Sequence, residues 1–171
     1  MNTTKWYKNP EMIVAFSALV IGIVTAFTSI YSAYVDRQYA RAAVWPRLEI
    51  FRSYTEDTFS YGVNNSGTGP ALIKYAKVRD GDRYIKSWSD VEAFREFTQS
   101  HIGLRTLSPQ SNITPLIYKG ENAMEFNKAD ANIKLELCYC SIYDECWLID
   151  KTNQPKEVDA CIADAKDLFL Q

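Results

Sequence analysis

Four cysteines are the residues whose type and spacing most directly suggest chemistry. They lie in the last part of the chain, at Cys138, Cys140, Cys146 and Cys161. An even number of clustered cysteines predicts disulfide bonds, which persist in oxidising compartments. Structural zinc sites use two closely spaced pairs of ligands, whereas here one pair is too tight and the other too far apart. The pattern therefore favours disulfides over zinc, and free thiols in a cytoplasmic domain are the remaining alternative.

The strand that carries the first two cysteines restricts the disulfide connectivity. Cys138 and Cys140 point to the same face of an extended segment and are too close along it to bridge one another without strain. If all four cysteines pair, each of these two bonds to Cys146 or Cys161, which leaves two connectivities. In one, Cys140–Cys146 closes a hairpin, in a register that depends on the turn length, and Cys138–Cys161 attaches the tail. A single Cys146–Cys161 bridge with two buried free thiols is the alternative.

Other catalytic and metal-binding patterns are weak. His101 is the only histidine, and its polar context is typical of a solvated surface residue rather than a catalytic base. Gly67 and Gly69 lack the lysine and the helix of a phosphate-binding loop. Asp80-Gly81-Asp82 lacks the further ligands of a calcium loop and favours a β-turn. We therefore expect no enzymatic activity, no cofactor and no metal site, and solvated positions for scattered carboxylates such as Glu121, Glu125 and Glu136.

An apolar stretch near the start of the chain determines where the rest of the protein lies. Residues 12–34 contain no charged side chain, and a stretch of this length can span a bilayer as a helix. Aromatic residues suited to the headgroup zone lie on both sides, at Trp6, Tyr7, Tyr31, Tyr34, Tyr39 and Trp45. A cleaved signal peptide is the alternative, but the apolar stretch is too long for one and lacks a clear cleavage site.

These features predict three N-terminal segments. Residues 1–11 form a tail, residues 12–35 form a transmembrane helix, and residues 36–45 continue the helix as a juxtamembrane stalk. Pro46 ends the stalk, because the residue before a proline is disfavoured in the helical conformation.

The predicted span contains a regular set of small residues. They alternate in steps of three and four, the spacing of heptad positions a and d, at Ala15, Ala18, Gly22, Thr25, Ser29 and Ser32. Small side chains permit close approach of helix backbones in lipid. We therefore expect this small-residue seam to pack against another transmembrane helix, from a second copy of the chain or from a partner membrane protein.

Two signals disagree on the orientation in the membrane. Lys5 and Lys8 precede the span, and Arg37, Arg41 and Arg47 follow it, so the positive-inside rule slightly favours a cytoplasmic C-terminal domain. The clustered cysteines favour an oxidising compartment instead. Giving the cysteines more weight, we predict a single-pass inner-membrane protein with a periplasmic C-terminal domain.

The remainder of the chain, residues 46–171, has the length of one domain. Its apolar residues alternate in many short runs separated by turn residues, which predicts a mainly β domain built as a two-layer β-sandwich. Its charges are mixed, and the whole chain has a net charge of −2. Without a basic stripe to follow phosphates, this composition argues against a nucleic-acid partner.

Two segments of the β domain have sequence patterns that favour or allow a helix. Ser89 and Glu92 have the spacing of a capping box, which predicts one inserted helix that ends near Gly103. The pattern of residues 158–170 also allows a short C-terminal helix. Between these segments, residues 124–126 are predicted to form a strand, and residues 133–143 the strongest strand of the domain.

Three short motifs carry a resemblance to other proteins: WPRLE at 45–49, VNNSGTGPA at 63–71 and YCS at 139–141. With these motifs the chain resembles uncharacterised bacterial single-pass membrane proteins that carry an N-G-x-G-P-A-type turn in an immunoglobulin-like β domain. The resemblance implies an immunoglobulin-like fold and no particular function. In the turn, we expect Gly67 and Gly69 to adopt positive φ and Pro70 to begin the next strand.

The sequence therefore predicts a membrane-anchored accessory or scaffold protein that assembles through its helix. A ligand-binding or sensing module that signals through the helix is the alternative. An enzyme with an unrecognised site is a third hypothesis. A sensor predicts a concave pocket lined by converging polar groups, whereas a scaffold predicts stable association with a membrane partner or with itself.

Overall fold

The computed structural model describes residues 9–171, so the basic and aromatic residues predicted to flank the span on its N-terminal side lie outside the described part, namely Lys5, Trp6, Tyr7 and Lys8. The chain divides into two units, Met1–Ala42 and Ala43–Gln171. A single helix, α1 (Pro10–Ala43), is long and apolar enough to span a membrane, and none of its residues is buried. It runs through the predicted span and most of the predicted stalk.

The second unit contains ten strands and one further helix. In chain order they are β1 (Leu48–Tyr54), β2 (Thr58–Asn65), β3 (Ala71–Asp80), β4 (Arg83–Ile85), β5 (Thr98–Gln99), β6 (Arg105–Leu107), β7 (Ser111–Lys119), α2 (Ala123–Ala129), β8 (Ile133–Cys140), β9 (Cys146–Asp150) and β10 (Lys156–Val158). The strands form two antiparallel sheets. The first sheet has the order β1-β2-β7-β5, and the second has the order β10-β9-β8-β3-β4, with β6 also paired to β3.

One hydrophobic core receives side chains from both sheets. Aromatic rings fill much of it. Tyr61 of β2 stacks on Trp88 at 5.2 Å between ring centroids, and Phe94 stacks on Phe126 of α2 at 4.6 Å. Phe169 meets Trp88 edge-on at 4.8 Å. The core therefore holds in place the β4–β5 connection and the C-terminal tail, as well as the strands.

The helix predicted to begin at Ser89 does not form. A capping box does exist, but Ser87 and Asp90 make it around a short 3-10 turn at Trp88–Asp90. The chain after this turn is irregular, and Glu96 adopts a positive φ of 55°, which no helix allows. Burial of Trp88 and Phe94 in the aromatic core outweighs the local helical pattern.

The inserted helix instead lies at α2, where the sequence pattern predicts a strand over 124–126. Ala123 and Phe126 are three residues apart and both buried, so the segment buries one helical face. The tail carries only a 3-10 turn at Ala165–Asp167 where the sequence also allows a helix over 158–170. Its apolar anchor is Phe169, whose backbone N–H donates to Ala76 O.

The turn between β2 and β3 is organised by a fully buried amide. The side-chain Nδ2 of Asn65 donates to the carbonyls of Gly69 and Leu107 at 2.9 and 3.1 Å. Its Oδ1 accepts from the backbone N–H groups of Arg47 and Gly67, each at 3.1 Å. One side chain thus fastens the start of β1, the β2–β3 turn and the end of β6 to each other.

Gly67 and Gly69 are needed in this turn for a reason that the sequence analysis did not identify. Neither has the predicted positive φ, which among the glycines belongs to Gly81 and Gly120. A Cβ on Gly67 would lie 2.3 Å from Trp45 O, and a Cβ on Gly69 would lie 1.7 Å from Val44 O. The glycines therefore permit close approach of the segment that leads into β1.

Substitution of Gly69 tests this contact. Gly69→Ala places a methyl group against backbone rather than a flexible side chain, so we expect a loss of about 2–3 kcal/mol in the free energy of unfolding. Thermal unfolding of the full chain in neutral detergent, followed by circular dichroism, measures it. Gly103→Ala is the control, because its added Cβ meets its nearest neighbour at an ordinary 3.7 Å. Equal stability of the two variants would contradict this explanation of the turn.

Candidate functional site

The small-residue seam lies along α1 with all six of its residues exposed, at Ala15, Ala18, Gly22, Thr25, Ser29 and Ser32. Helical spacing places them along one side of the helix. The hydroxyls of Thr25 and Ser29 donate to the carbonyls of Ile21 and Thr25, at 2.9 and 2.8 Å. These hydroxyls are satisfied within α1, so a partner helix has no need to supply acceptors for them. A Cβ on Gly22 has no neighbour within 4 Å, and the backbone there is open to close approach.

All four cysteines are paired in the structure. Cys138 bonds to Cys161, with Cα atoms 5.7 Å apart, and Cys140 bonds to Cys146, with Cα atoms 4.0 Å apart. This is the first of the two connectivities allowed by the sequence, and the single-bridge alternative is not observed. The turn after β8 spans residues 141–145, so Cys140 and Cys146 become direct cross-strand partners on the same face.

The two disulfides lie on the outer face of the second sheet, at the end of β8 near the β8–β9 turn. Leu137 and Tyr139 of β8 point into the core, and the alternation of a strand places Cys138 and Cys140 on the opposite face. Both are nevertheless buried, because the sulfur atoms lie beneath the tail that carries Cys161. The tail is thereby attached on one side of the sheet by a covalent bond and within the core by Phe169.

The sulfur atoms form a compact group. Cys140 Sγ lies 3.7 Å from Cys161 Sγ of the other disulfide, and the sulfurs of Cys140, Cys146 and Cys161 all lie within 4.8 Å of one another. Metals are bound by thiolates, and a disulfide sulfur carries no such charge. Zinc binding at this group therefore requires reduction of both bridges.

A second candidate site centres on a buried carboxylate. Asp130 follows α2 and is 6% exposed. Its carboxylate accepts hydrogen bonds from Arg52 of β1, Tyr61 of β2 and Lys151, which follows β9. Lys151 also donates to the backbone carbonyl of Asp130 at 3.2 Å. Two cations and a hydroxyl from both sheets thus converge on one carboxylate, beside a cavity of about 340 Å³.

The ionisation of this cluster follows from its contacts. Burial alone would raise the pKa of Asp130, but the hydrogen bonds from Lys151, Tyr61 and Arg52 outweigh burial and lower it. Burial and the bond to Asp130 raise the pKa of Tyr61. Burial lowers the pKa of Lys151, and its contacts with Asp130 oppose that effect. The carboxylate therefore stays ionised with the phenol neutral, which is typical of a structural ion cluster as well as of a binding site.

A third candidate is a groove of about 270 Å³ on the outer face of the second sheet. Its charged and aromatic lining comprises four cationic residues, one aromatic ring and two carboxylates, from Lys77, Arg79, Lys134, Lys151, Tyr84, Glu136 and Asp150. They come from β3, β4, β8, the end of β9 and the residue that follows it. The groove is a concave site with converging polar groups, of the kind that the sensing hypothesis requires.

Sequence reasoning did not find the second and third sites. One usable signal was present, because a tyrosine on the core side of an alternating strand, such as Tyr61, needs a hydrogen-bond partner. Of the residues that the sequence analysis set aside as solvated, Glu136 is instead half-buried and paired with Lys77. His101, Glu121 and Glu125 are exposed, and Gly81 forms the β3–β4 hairpin turn with a φ of 60°.

The sequence matches no protein-family model, and it has no match among curated proteins.

Replacement of Asp130 tests whether the buried cluster stabilises the fold. Asp130→Ala leaves Arg52 and Lys151 facing each other without a carboxylate. We therefore expect the free energy of unfolding at pH 7 to fall by about 2–3 kcal/mol. Asp164→Ala is the control, because that aspartate pairs with Lys166 at the surface, with both side chains largely exposed, and surface pairs contribute at most about 1 kcal/mol.

The same variant has a pH signature. A lowered folded-state pKa contributes stability above the ordinary value of 3.8, and this contribution is lost as the pH falls through the folded-state value. The difference in the free energy of unfolding between wild type and Asp130→Ala should therefore be largest at neutral pH and decrease as the pH is lowered. Chemical denaturation at a series of pH values measures it, and a difference that is independent of pH would contradict this role for the Asp130 charge.

Proposed function

We propose that this protein is a single-pass inner-membrane accessory or scaffold protein without enzymatic activity. In this proposal α1 anchors the chain in the bilayer and packs against another transmembrane helix. The second unit is an immunoglobulin-like β-sandwich in the periplasm. Its role is to present a stable surface there and to assemble with a second copy or with another membrane protein.

The observation that carries the proposal is the pairing of all four cysteines in a domain that follows a membrane-length helix. Disulfides persist outside the cytoplasm, where thiol-reducing systems are absent. The Cys138–Cys161 bridge closes a loop with a sequence separation of 23, long enough to contribute roughly 3 kcal/mol by restricting the unfolded chain. A domain that depends on such a bond needs an oxidising compartment, and this supports the periplasmic side.

Two further observations support the details. Two antiparallel sheets that share one core are typical of a β-sandwich. The hydroxyls of Thr25 and Ser29 on the seam of α1 donate to carbonyls of the same helix. The seam can therefore associate in lipid by close packing, without hydrogen bonds from a partner to these two hydroxyls.

A second candidate function is favoured by the groove on the outer face of the second sheet. A module that binds a small ligand there, and signals through α1, needs a concave site with polar groups that lack partners of their own. The groove has this character, whereas a pure scaffold has no need of it.

Orientation is tested with reporters fused after Gln171. We expect a reporter that folds only in the periplasm to be active and one that works only in the cytoplasm to be silent, because the disulfides require the oxidising side. A matched pair of fusions after Ala43, the end of α1, is the control for the contribution of the β domain to translocation. A cytoplasmic result for the Gln171 fusion would overturn both the orientation and the disulfide argument.

Assembly is tested at Gly22. A Cβ at Gly22 has no neighbour within 4 Å beyond the adjoining backbone of its own helix, so we expect Gly22→Leu to keep its fold but to lose self-association or its co-purifying partner. Ser17→Leu adds similar bulk away from the seam and should leave assembly intact. Native mass determination after gentle detergent extraction compares the particles. If Gly22→Leu has the same mass and partners as the wild type, α1 does not assemble through this seam.

A further inference from the structure

The charges of the groove on the second sheet are arranged in two rows. Across the strands, Lys77 of β3 is opposite Glu136 of β8, which is opposite Asp150 of β9. Two residues further along, Tyr84 of β4 is opposite Arg79 of β3. Arg79 in turn is opposite Lys134 of β8. Side chains two apart on a strand share a face, so both rows line the same groove.

In the first row, both carboxylates have partners within the protein. Glu136 pairs with Lys77 at 3.8 Å. The Asp150 carboxylate accepts hydrogen bonds from the backbone N–H and the hydroxyl of Thr152, at 2.8 and 2.6 Å. These bonds also lower the pKa of Asp150. Among the described residues, neither carboxylate forms an ion pair with Arg79 or Lys134 of the second row.

The other row contains two cations without an anionic partner. Within residues 9–171, the structure gives the side chains of Arg79 and Lys134 no ion pair. Arg79 lies over the Tyr84 ring, with its Cζ 5.5 Å from the centroid, and this contact holds the guanidinium in the groove. Like charges directly opposite in a sheet are destabilising, so the pair costs stability unless an anion lies between them.

We propose that this groove binds a small anion through a phosphate or carboxylate group held between Arg79 and Lys134. The guanidinium offers a planar fork that matches either group, and the ammonium adds a mobile point charge. A volume of about 270 Å³ lies just below the usual range for ligand pockets and fits a single anionic group rather than a large molecule. The inference goes beyond the scaffold role and rests on the second candidate function, for which it names the ligand chemistry.

Calorimetric titration of inorganic phosphate into the full chain in neutral detergent tests the site. We expect saturable binding above that of chloride at equal ionic strength, weakened about tenfold by Arg79→Gln and by Lys134→Gln, because each removes a charge-assisted hydrogen bond. Lys74→Gln is the matched control. Lys74 is an exposed lysine of β3 outside the groove lining, and its loss should leave affinity unchanged. No saturable binding, or equal weakening by Lys74→Gln, would overturn the proposal.

Stability without ligand gives a second readout that a merely structural lysine would not produce. In phosphate-free buffer, Lys134→Gln relieves the repulsion with Arg79, so the melting temperature should rise by about 1–3 °C. Phosphate should then stabilise the wild type more than the variant. A lower melting temperature for Lys134→Gln would show a favourable contact of Lys134 within the chain and would contradict the inference.

The source of the anionic group is distinguished in nanodiscs. If the ligand is a lipid headgroup, discs of phosphatidylglycerol should weaken phosphate binding relative to discs of phosphatidylcholine, whereas a soluble ligand predicts equal affinity. Both results require the Arg79–Lys134 site. Because binding is measured on purified protein, its failure leaves the orientation and assembly experiments, and hence the scaffold role, independently testable.

Discussion

The buried amide of Asn65 is the interaction on which the β domain depends most. Its five hydrogen bonds join chain segments that are far apart in sequence, the start of β1 near Arg47 and the end of β6 at Leu107, to the turn between β2 and β3. The bonds to the carbonyls of Gly69 and Leu107 are buried, and a buried polar group left without a partner costs about 1–3 kcal/mol. The close approach permitted by Gly67 and Gly69 brings the same segments into contact, so amide and glycines act as one unit. The segment that leads into β1 is therefore fastened directly to the β2–β3 turn.

The two faces of strand β8 pack in different ways. One face contributes Leu137 and Tyr139 to the apolar core, where burial is favourable without any specific partner. The other face would be exposed to solvent in a bare sheet, and its cysteines convert it into an attachment site for the tail. Tyr139 also extends the core side toward Trp147, 5.6 Å away, which in turn contacts Trp45 at 5.2 Å. The three motifs that carry the sequence resemblance thus meet around β8 and the β2–β3 turn.

The sequence predicted those features that depend on local pattern. The long apolar helix, the strand that begins at Ile133 and the pairing restricted by Cys138 and Cys140 all follow from periodicity and reach along a strand. The predicted strand continues to residue 143, whereas β8 ends at Cys140. The helix expected from Ser89 failed because a tertiary term, burial of Trp88 among aromatic rings, outweighs a capping signal of about 1 kcal/mol. The Asp130 cluster and the groove could not be predicted, since both require the pairing of strands distant in sequence.

The two charged sites of the domain differ in how completely their charges are compensated, and this difference separates structure from binding. At Asp130, one buried carboxylate receives two cations and a hydroxyl, so its hydrogen-bonding capacity is used within the chain. At the groove, the carboxylates are satisfied while Arg79 and Lys134 face each other across a strand pair. A closed cluster gains little from a ligand, because any new contact must first break an existing one. An open pair of like charges gains from the first anion that reaches it, and this is why the groove, rather than the better-connected Asp130 cluster, is the place to look for a ligand.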